Sequence, residues 1–139
     1  GGLVSTGADY HRFTQALLGG GELDGARLLG SRTLAYMARN HLPGGADLES
    51  FGRRLFAETT FDGVGYGLGW AVLLDPVANK VLSSPGELAW GGAASTFFWV
   101  DPAVGIACVV LSTREFGDWA KEAWPRLSDA VLAELASSS

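Results

Sequence analysis

Apolar residues recur at helical spacing close to the start of the chain. Thr6 and Asp9 have the spacing of a capping box, with Asp in place of the usual Glu. The glycines at 19–21 end the pattern, which therefore predicts a helix over residues 9–18. The apolar stripe of this helix consists of Tyr10, Phe13, Ala16 and Leu17.

Two later segments show the same period. One begins near Ser31, whose hydroxyl can cap a helix, and stops at Pro43. Its stripe consists of Leu34, Met37 and Ala38. The other covers about 118–136, where Pro125 must either start the main helix or kink it. Its stripe consists of Trp124, Leu127, Val131 and Leu135. We expect an irregular link or a short hairpin between the first two helices, and a surface excursion over 44–62.

Strand patterns occupy the middle of the chain. Over 63–70 every second residue is glycine, which predicts a strand with one bare and one bulky face, continuing to about residue 74. Residues 97–100 and 106–111 are apolar at every position, which is typical of strands covered on both faces. Pro and Gly in the connection 101–105 fit a hairpin turn. We therefore expect the α+β class, with an antiparallel sheet flanked by helices.

The strand before residue 97 begins with an unusual group, Trp90 followed by Gly91, Gly92 and Ala93. Glycine weakens a strand because it costs backbone entropy and packs no side chain. Two glycines in succession indicate that another strand, a helix or a substrate approaches the backbone closely.

Composition narrows the classes of partner. The 139 residues suit one domain, and 47% are hydrophobic while 18% are charged, against about 25% charged in average globular proteins. This balance favours association with another surface, although a glycine- and alanine-rich single domain also explains it. The net charge of −5 and the absence of basic runs argue against nucleic acid. No apolar stretch reaches the ~20 residues of a membrane span. Cys108 is the only cysteine and is expected to be a small buried hydrophobe.

No self-contained catalytic set is visible in the chain. Ser-x-x-Lys is absent, since neither Lys80 nor Lys121 follows a serine at that spacing, and there is no GxSxG elbow. His11 and His41 have no HExxH or CxxC neighbours, so neither a metal site nor a cofactor is predicted. Each histidine is more typical of a surface position than of a general base.

Three blocks of the chain resemble, in order, the C-terminal part of the serine β-lactamase-like superfamily. They are residues 1–29, 65–70 and 87–115. The superfamily includes class C β-lactamases, D-Ala-D-Ala carboxypeptidases of the penicillin-binding protein type, and family VIII carboxylesterases. The blocks GGLVST-x-x-D-x-x-R-F and Trp-Gly-Gly look closest to the esterase branch.

The resemblance implies that residues 1–139 form a single partial domain. It would comprise the later strands and last helix of a β-lactamase/transpeptidase-like α/β sandwich whose N-terminal part is missing. Of the three family motifs, Ser-x-x-Lys, Tyr-x-Asn or Tyr-x-Ser, and a third strand motif, only the last is present, as Trp90-Gly91-Gly92. These three residues would line the substrate site, and the backbone N–H of Ala93 would help to form the oxyanion hole.

The implied function is that of the C-terminal part of a serine hydrolase, acting through an acyl-enzyme on a small ester or amide. Trp90 and Gly91 lack the charge and hydroxyl with which lactamases hold a substrate carboxylate, which favours a carboxylesterase. The serine, lysine and tyrosine would come from the missing N-terminal part or a separate chain, so this chain alone should be inactive. The alternative is a non-catalytic truncated module that self-associates as a homo-oligomer or complements a separate chain. Core packing is the alternative interpretation of Trp90.

Overall fold

The structure is a computed structural model. It describes residues 3–51, 61–92, 94–112 and 118–137, and within the last range it describes the side chains of Ala123 and of the residues from 126 onward.

The described chain contains five α-helices and seven strands. The helices are α1 (Gly7–Leu18), α2 (Ser31–Met37), α3 (Leu48–Phe51), α4 (Pro76–Asn79) and α5 (Asp118–Ser137), with a single 3-10 turn over Pro43–Gly45. The strands are β1 (Glu22–Leu23), β2 (Ala26–Arg27), β3 (Val64–Tyr66), β4 (Ala71–Leu73), β5 (Leu88–Gly92), β6 (Thr96–Asp101) and β7 (Ile106–Val110). Of the predicted surface excursion, 52–60 lie outside the described residues. None of the described helices has the length and hydropathy needed to cross a membrane.

Strands β3 to β7 form one antiparallel sheet in sequential order. β6 and β7 pair from Phe97↔Val110 to Asp101↔Ile106, which confirms the predicted hairpin. β1 and β2 form a separate two-stranded hairpin between α1 and α2. The antiparallel sheet flanked by helices confirms the predicted α+β class.

The capping box fixes the start of α1. The Thr6 Oγ1 accepts a hydrogen bond from the N–H of Asp9 at 3.1 Å and donates one to the Asp9 carboxylate at 2.8 Å. Leu17 is buried, and Tyr10 and Phe13 pack against the same core cluster. The local capping signal therefore places the helix as the sequence predicted, with a start two residues earlier.

The main core lies between the first two helices and one face of the sheet. β6 is its centre, since Phe98 is 5% exposed and Val100 is 0% exposed. The buried members of the core cluster are Leu17, Leu34, Trp70, Val72, Leu88, Phe98 and Val100. On the alternate positions of β6, Phe97 and Trp99 are also buried and stack with ring centroids 5.9 Å apart. β6 is thus covered on both faces, as predicted.

Residues 63–74, predicted as one strand, form instead the hairpin of β3 and β4. The N–H of Gly67 donates a hydrogen bond to the carbonyl of Trp70 at 2.8 Å and closes the turn. Gly69, inside the turn, has a φ of +114°, which L side chains rarely adopt. The prediction missed the turn because Gly67 and Gly69 continue the alternation that defines the strand.

The structure contains the predicted face of β3 without side chains, and close packing explains it. A Cβ on Gly65 would lie 2.5 Å from Cγ of Asn40, and one on Gly67 would clash with the carbonyl oxygen of Met37. The Oδ1 of Asn40 also accepts a hydrogen bond from the N–H of Tyr66 at 3.1 Å. The glycines therefore let the segment after α2 lie directly against β3.

The last helix differs from its predicted amphipathic pattern. α5 is continuous through Pro125. Leu127 and Leu135 of the predicted stripe are 38% and 48% exposed. Ser128 is buried instead, and its hydroxyl lies 3.4 Å from the hydroxyl of Ser83. A polar contact with the segment before β5 thus fixes which side of the helix faces inward.

The carboxyl groups of Glu87 and Asp101 lie between the segment that precedes β5 and the β6–β7 turn. Asp101 is 1% exposed and accepts hydrogen bonds from the N–H groups of Ser84 and Ala103, both at 2.9 Å. One carboxylate oxygen of Glu87 is buried with no hydrogen-bond partner among the described residues. Burial raises the pKa of Glu87 to about 7; the Ser83 hydroxyl opposes this rise and the nearby Asp101 adds to it.

We predict that the free energy of unfolding falls as the pH rises from about 4.5 to about 7, because folded Glu87 keeps a proton that the unfolded chain releases near pH 4.5. This stabilisation is complete below pH 4.5 and lost above pH 7. Glu87→Gln cannot ionise and should exceed the unsubstituted chain in stability at pH 8 by roughly 2–3 kcal/mol. Urea denaturation at pH 5 and pH 8 measures the difference, with the exposed Glu49→Gln as control. Parallel pH profiles for Glu87→Gln and the unsubstituted chain would contradict this prediction.

Candidate functional site

Strand β5 extends beyond its neighbour β4. It pairs with β6 at five positions, but with β4 only at Leu88 and Ala89. On the β4 side, no strand in the described part of the chain pairs with Trp90, Gly91 or Gly92. This half of β5 therefore presents backbone hydrogen-bonding groups along one side that no described strand uses.

The β3–β4 turn is the reason that β4 does not extend along this half of β5. β4 begins at Ala71, which pairs with Ala89, and the chain directly before it is already turning at Trp70. One more residue of β4 would lie opposite Trp90. The glycine-rich turn therefore ends β4 at the point where the Trp-Gly-Gly motif begins.

Trp90 is half-buried and belongs partly to the core. It packs against the main core cluster, and its ring meets the ring of Tyr66 edge-to-face at 5.0 Å and 81°. Such aromatic pairs contribute about 0.5–1.5 kcal/mol beyond their buried area. Trp90 thus has the packing contacts of its alternative interpretation, and the residue as a whole is only partly buried.

Gly92 has a neighbour within the sheet. A Cβ at this position would lie 2.8 Å from the hydroxyl oxygen of Thr96, its cross-strand partner in β6. Close approach of an adjacent strand was one of the three explanations for the glycine pair, and it applies at Gly92. Gly91, which pairs with Phe97, is half-buried.

Ala94 and Ser95 lie in a turn before β6. Ala93, the predicted oxyanion donor, lies outside the described residues. The N–H of Ser95 donates to the carbonyl of Gly92 at 3.0 Å, and Ser95 itself has a φ of +56°. Ser95 is 1% exposed, and its hydroxyl has no hydrogen-bond partner among the described residues. Backbone strain and unpaired buried polar groups concentrate at functional sites. Ser95 could not be singled out from the sequence, because a serine in a turn has no distinguishing pattern.

The end of β5 is uncharged, and the histidines make their contacts elsewhere. Residues 88–92 include no ionisable side chain. His41 Nε2 lies 2.8 Å from the carbonyl oxygen of Tyr36, and the two rings pack edge-to-face at 4.7 Å. His11 Nε2 lies 3.4 Å from the side-chain nitrogen of Gln15 within α1. Both histidines thus have local contacts typical of surface positions.

The described residues contain no group of three or more His, Cys, Asp or Glu side chains that could hold a metal ion. At this end of β5 the described residues offer backbone hydrogen-bonding groups and apolar contact from Trp90 and Tyr66.

Comparison with known proteins supports the resemblance noted in the sequence. The family model Beta-lactamase matches residues 1–132. Protein Rv1367c of Mycobacterium tuberculosis (strain H37Rv) is 35% identical over 114 residues, which are 80% of this chain and 27% of that protein. Esterase EstB of Burkholderia gladioli is 35% identical over 77 residues, which are 55% of this chain and 20% of the esterase.

Comparison with solved structures points to the same group of proteins. The chain is similar to EstCE1, described as a hydrolase with promiscuous acyltransferase activity, with a TM-score of 0.71, 27% identity and coverage of 91% of this chain and 29% of EstCE1. A structure of a beta-lactamase from Mycobacterium bovis, Mb2281c, has a TM-score of 0.71 and 30% identity, and the similarity covers 94% of this chain and 44% of that one. The chain therefore spans between 20% and 44% of the length of these relatives.

The contact between Gly92 and Thr96 predicts a specific coupling. Gly92→Ala should destabilise the chain by about 1–2 kcal/mol, because the new Cβ meets the Thr96 side chain. In a Thr96→Ala background this cost should largely disappear, whereas Thr96→Val keeps an atom in the same place and should not relieve it. Unfolding free energies from a double-mutant cycle provide the measurement. An equal cost of Gly92→Ala in all three backgrounds would show that the glycine is required for another reason.

Proposed function

This chain belongs to the beta-lactamase family, and from that premise we propose that it forms one part of a serine hydrolase that transfers acyl groups from carboxylic esters. In this proposal the end of β5 lines the position of the reacting carbonyl. The observation that carries it is the backbone of Trp90 to Gly92, which no described strand pairs on the β4 side. A substrate acyl group can lie against that side and accept backbone hydrogen bonds.

Acyl transfer requires stabilisation of an oxyanion. A serine oxygen attacks the ester carbonyl, the carbonyl π bond opens, and negative charge develops on the former carbonyl oxygen. The tetrahedral intermediate expels the alcohol and becomes the acyl-enzyme. Water then attacks the carbonyl of the acyl-enzyme in the same way and releases the acid. In our proposal the N–H of Ala93 donates to the oxyanion, and one such donor lowers the barrier by about 2.7–4 kcal/mol.

The Trp-Gly-Gly motif favours ester substrates over β-lactam substrates. Where a cationic residue and a hydroxyl would hold a substrate carboxylate, this chain has Trp90 and Gly91. An indole and a bare backbone offer apolar contact and no charge, so the substrate part beside them should be uncharged. EstB and EstCE1, which this chain resembles, are described as an esterase and a hydrolase with acyltransferase activity.

The nucleophile and its proton-transferring partners are proposed to come from outside these residues. Neither Lys80 nor Lys121 belongs to a Ser-x-x-Lys motif, and the described histidine contacts do not involve a serine. The contribution of this chain is therefore positional and electrostatic.

We predict that purified residues 1–139 do not hydrolyse a p-nitrophenyl ester above background, because the attacking serine is not in this chain. They should also remain unlabelled by a fluorophosphonate serine probe. Parent EstCE1 serves as the positive control in both assays. Stoichiometric labelling of the isolated chain would refute this assignment of the nucleophile.

The oxyanion role is tested in a chimera in which this chain replaces the part of EstCE1 on which it superposes, here called the EstCE1 chimera. Ala93→Pro removes the donating N–H and should lower kcat by about 10²–10³ with little change in KM. Ala93→Gly keeps the N–H and should retain kcat within about threefold. Circular dichroism verifies that both variants fold. Equal kcat values for the proline and glycine variants would remove Ala93 from the mechanism.

A further inference from the structure

The ring of Tyr66 contacts a strand that does not neighbour its own. Tyr66 is the last residue of β3, and β4 lies between β3 and β5 in the sheet. Tyr66 pairs with Ala71, the first residue of β4, and Ala71 pairs with Ala89 of β5. The Tyr66 ring nevertheless meets the ring of Trp90, one residue further along β5, at 5.0 Å. The contact is therefore made at the first position of β5 that lies beyond its pairing with β4.

Each residue of this aromatic pair is also held by the rest of the fold. Trp90 packs against the main core cluster. The N–H of Tyr66 donates to Oδ1 of Asn40 at 3.1 Å, and the carbonyl of Tyr66 accepts the N–H of His41 at 2.8 Å. A side chain at Gly65 would clash with Asn40, so the glycine permits this close approach. Tyr66 is therefore held between Asn40 on one side and Trp90 on the other.

The amide of Asn40 links three parts of the chain. Its Oδ1 accepts the N–H groups of Tyr66 and Leu42, both at 3.1 Å, and its Nδ2 donates to the carbonyl of Ala46 at 2.8 Å. Because two N–H donors require the oxygen and a carbonyl requires the nitrogen, these partners fix the orientation of the amide. Asn40 is thus a fixed acceptor for the backbone of Tyr66.

The Tyr66 ring stands at one end of the half of β5 that no described strand pairs on the β4 side. In the proposed function the reacting carbonyl lies at the N–H of Ala93, and the acyl group lies along Trp90 to Gly92. A strand rises about 3.3 Å per residue, so the distance along β5 from residue 93 back to residue 90 is roughly 10 Å. An extended acyl chain that follows β5 therefore meets the Tyr66 ring after about 10 Å.

We propose that Tyr66 is a specificity-determining residue that limits the acyl group to short and medium-length chains, and that Asn40 is the positioning residue that holds Tyr66 in place. This inference rests on the proposed function and names the substrate class of the same site. The two rings offer apolar contact to a chain that ends beside them and block a chain that continues past them. An octanoyl chain has about the length that fits, and a lauroyl chain exceeds it.

Selectivity between two esters tests the role of Tyr66. In the EstCE1 chimera, the ratio of kcat/KM for p-nitrophenyl laurate to that for p-nitrophenyl acetate should rise at least about tenfold in Tyr66→Ala, because the blocking ring is gone. Tyr66→Phe keeps the ring and should leave the ratio within about twofold. Phe51→Ala removes another aromatic ring, 54% exposed at the end of α3, and should leave the ratio unchanged. An equal ratio in Tyr66→Ala and the unsubstituted chimera would overturn the proposal.

A second pair of variants tests the positioning role of Asn40. Asn40→Ala removes the acceptor of the Tyr66 N–H and should raise the same ratio by at least about threefold. Asn40→Asp keeps an acceptor oxygen and should leave the ratio within about twofold. A smaller folded fraction lowers the activity toward both esters alike, so the ratio reports the position of the ring. Reduced activity of Asn40→Ala at a constant ratio would show that Asn40 has only a structural role.

The outcomes separate this inference from the proposed function. An unsubstituted chimera that is folded by circular dichroism and hydrolyses no ester would contradict the proposed function, and this inference with it. A chimera that hydrolyses p-nitrophenyl acetate, but whose ratio does not change in Tyr66→Ala, would contradict this inference alone. A preference of the unsubstituted chimera for laurate over acetate would do the same.

Discussion

The pairing of β5 with β6 is the constraint on which the rest of the structure depends. β6 is buried on both faces, and it holds β5 in register at five positions from Leu88 to Gly92. β4 holds β5 at only two. Because β6 holds the strand along its full length, the second half of β5 stays in register although no described strand pairs with it on the β4 side.

Close backbone approaches connect this edge to the body of the fold. Asn40 and the carbonyl of Met37 occupy the space that side chains would take at Gly65 and Gly67. These contacts position the β3–β4 hairpin, whose Tyr66 then meets Trp90 edge-to-face. The glycines of the hairpin thus act on the candidate site indirectly, through the placement of one aromatic ring. Overpacking at Gly65 or Gly67 would disturb the indole without touching the motif itself.

The two edges of the same sheet differ. One edge is closed by residues 40 and 41, whereas at the other edge no strand in the described part of the chain pairs with the outer side of β7. The candidate site lies on β5, which β6 separates from β7.

The sequence by itself determined the elements whose signals are local. The Thr6–Asp9 box marked α1, the turn at 101–105 marked the β6–β7 hairpin, and Trp90-Gly91-Gly92 indicated the family. Only the tertiary structure decided what depends on contacts distant in sequence. Asn40 reaches Tyr66 across 26 positions, Ser83 meets Ser128 across 45, and Thr96 explains Gly92 through strand pairing. The raised pKa of Glu87 and the early end of β4 beside β5 also depend on contacts that are distant in sequence. Periodicity and capping act within a few residues, whereas burial and strand pairing exist only after the chain has folded.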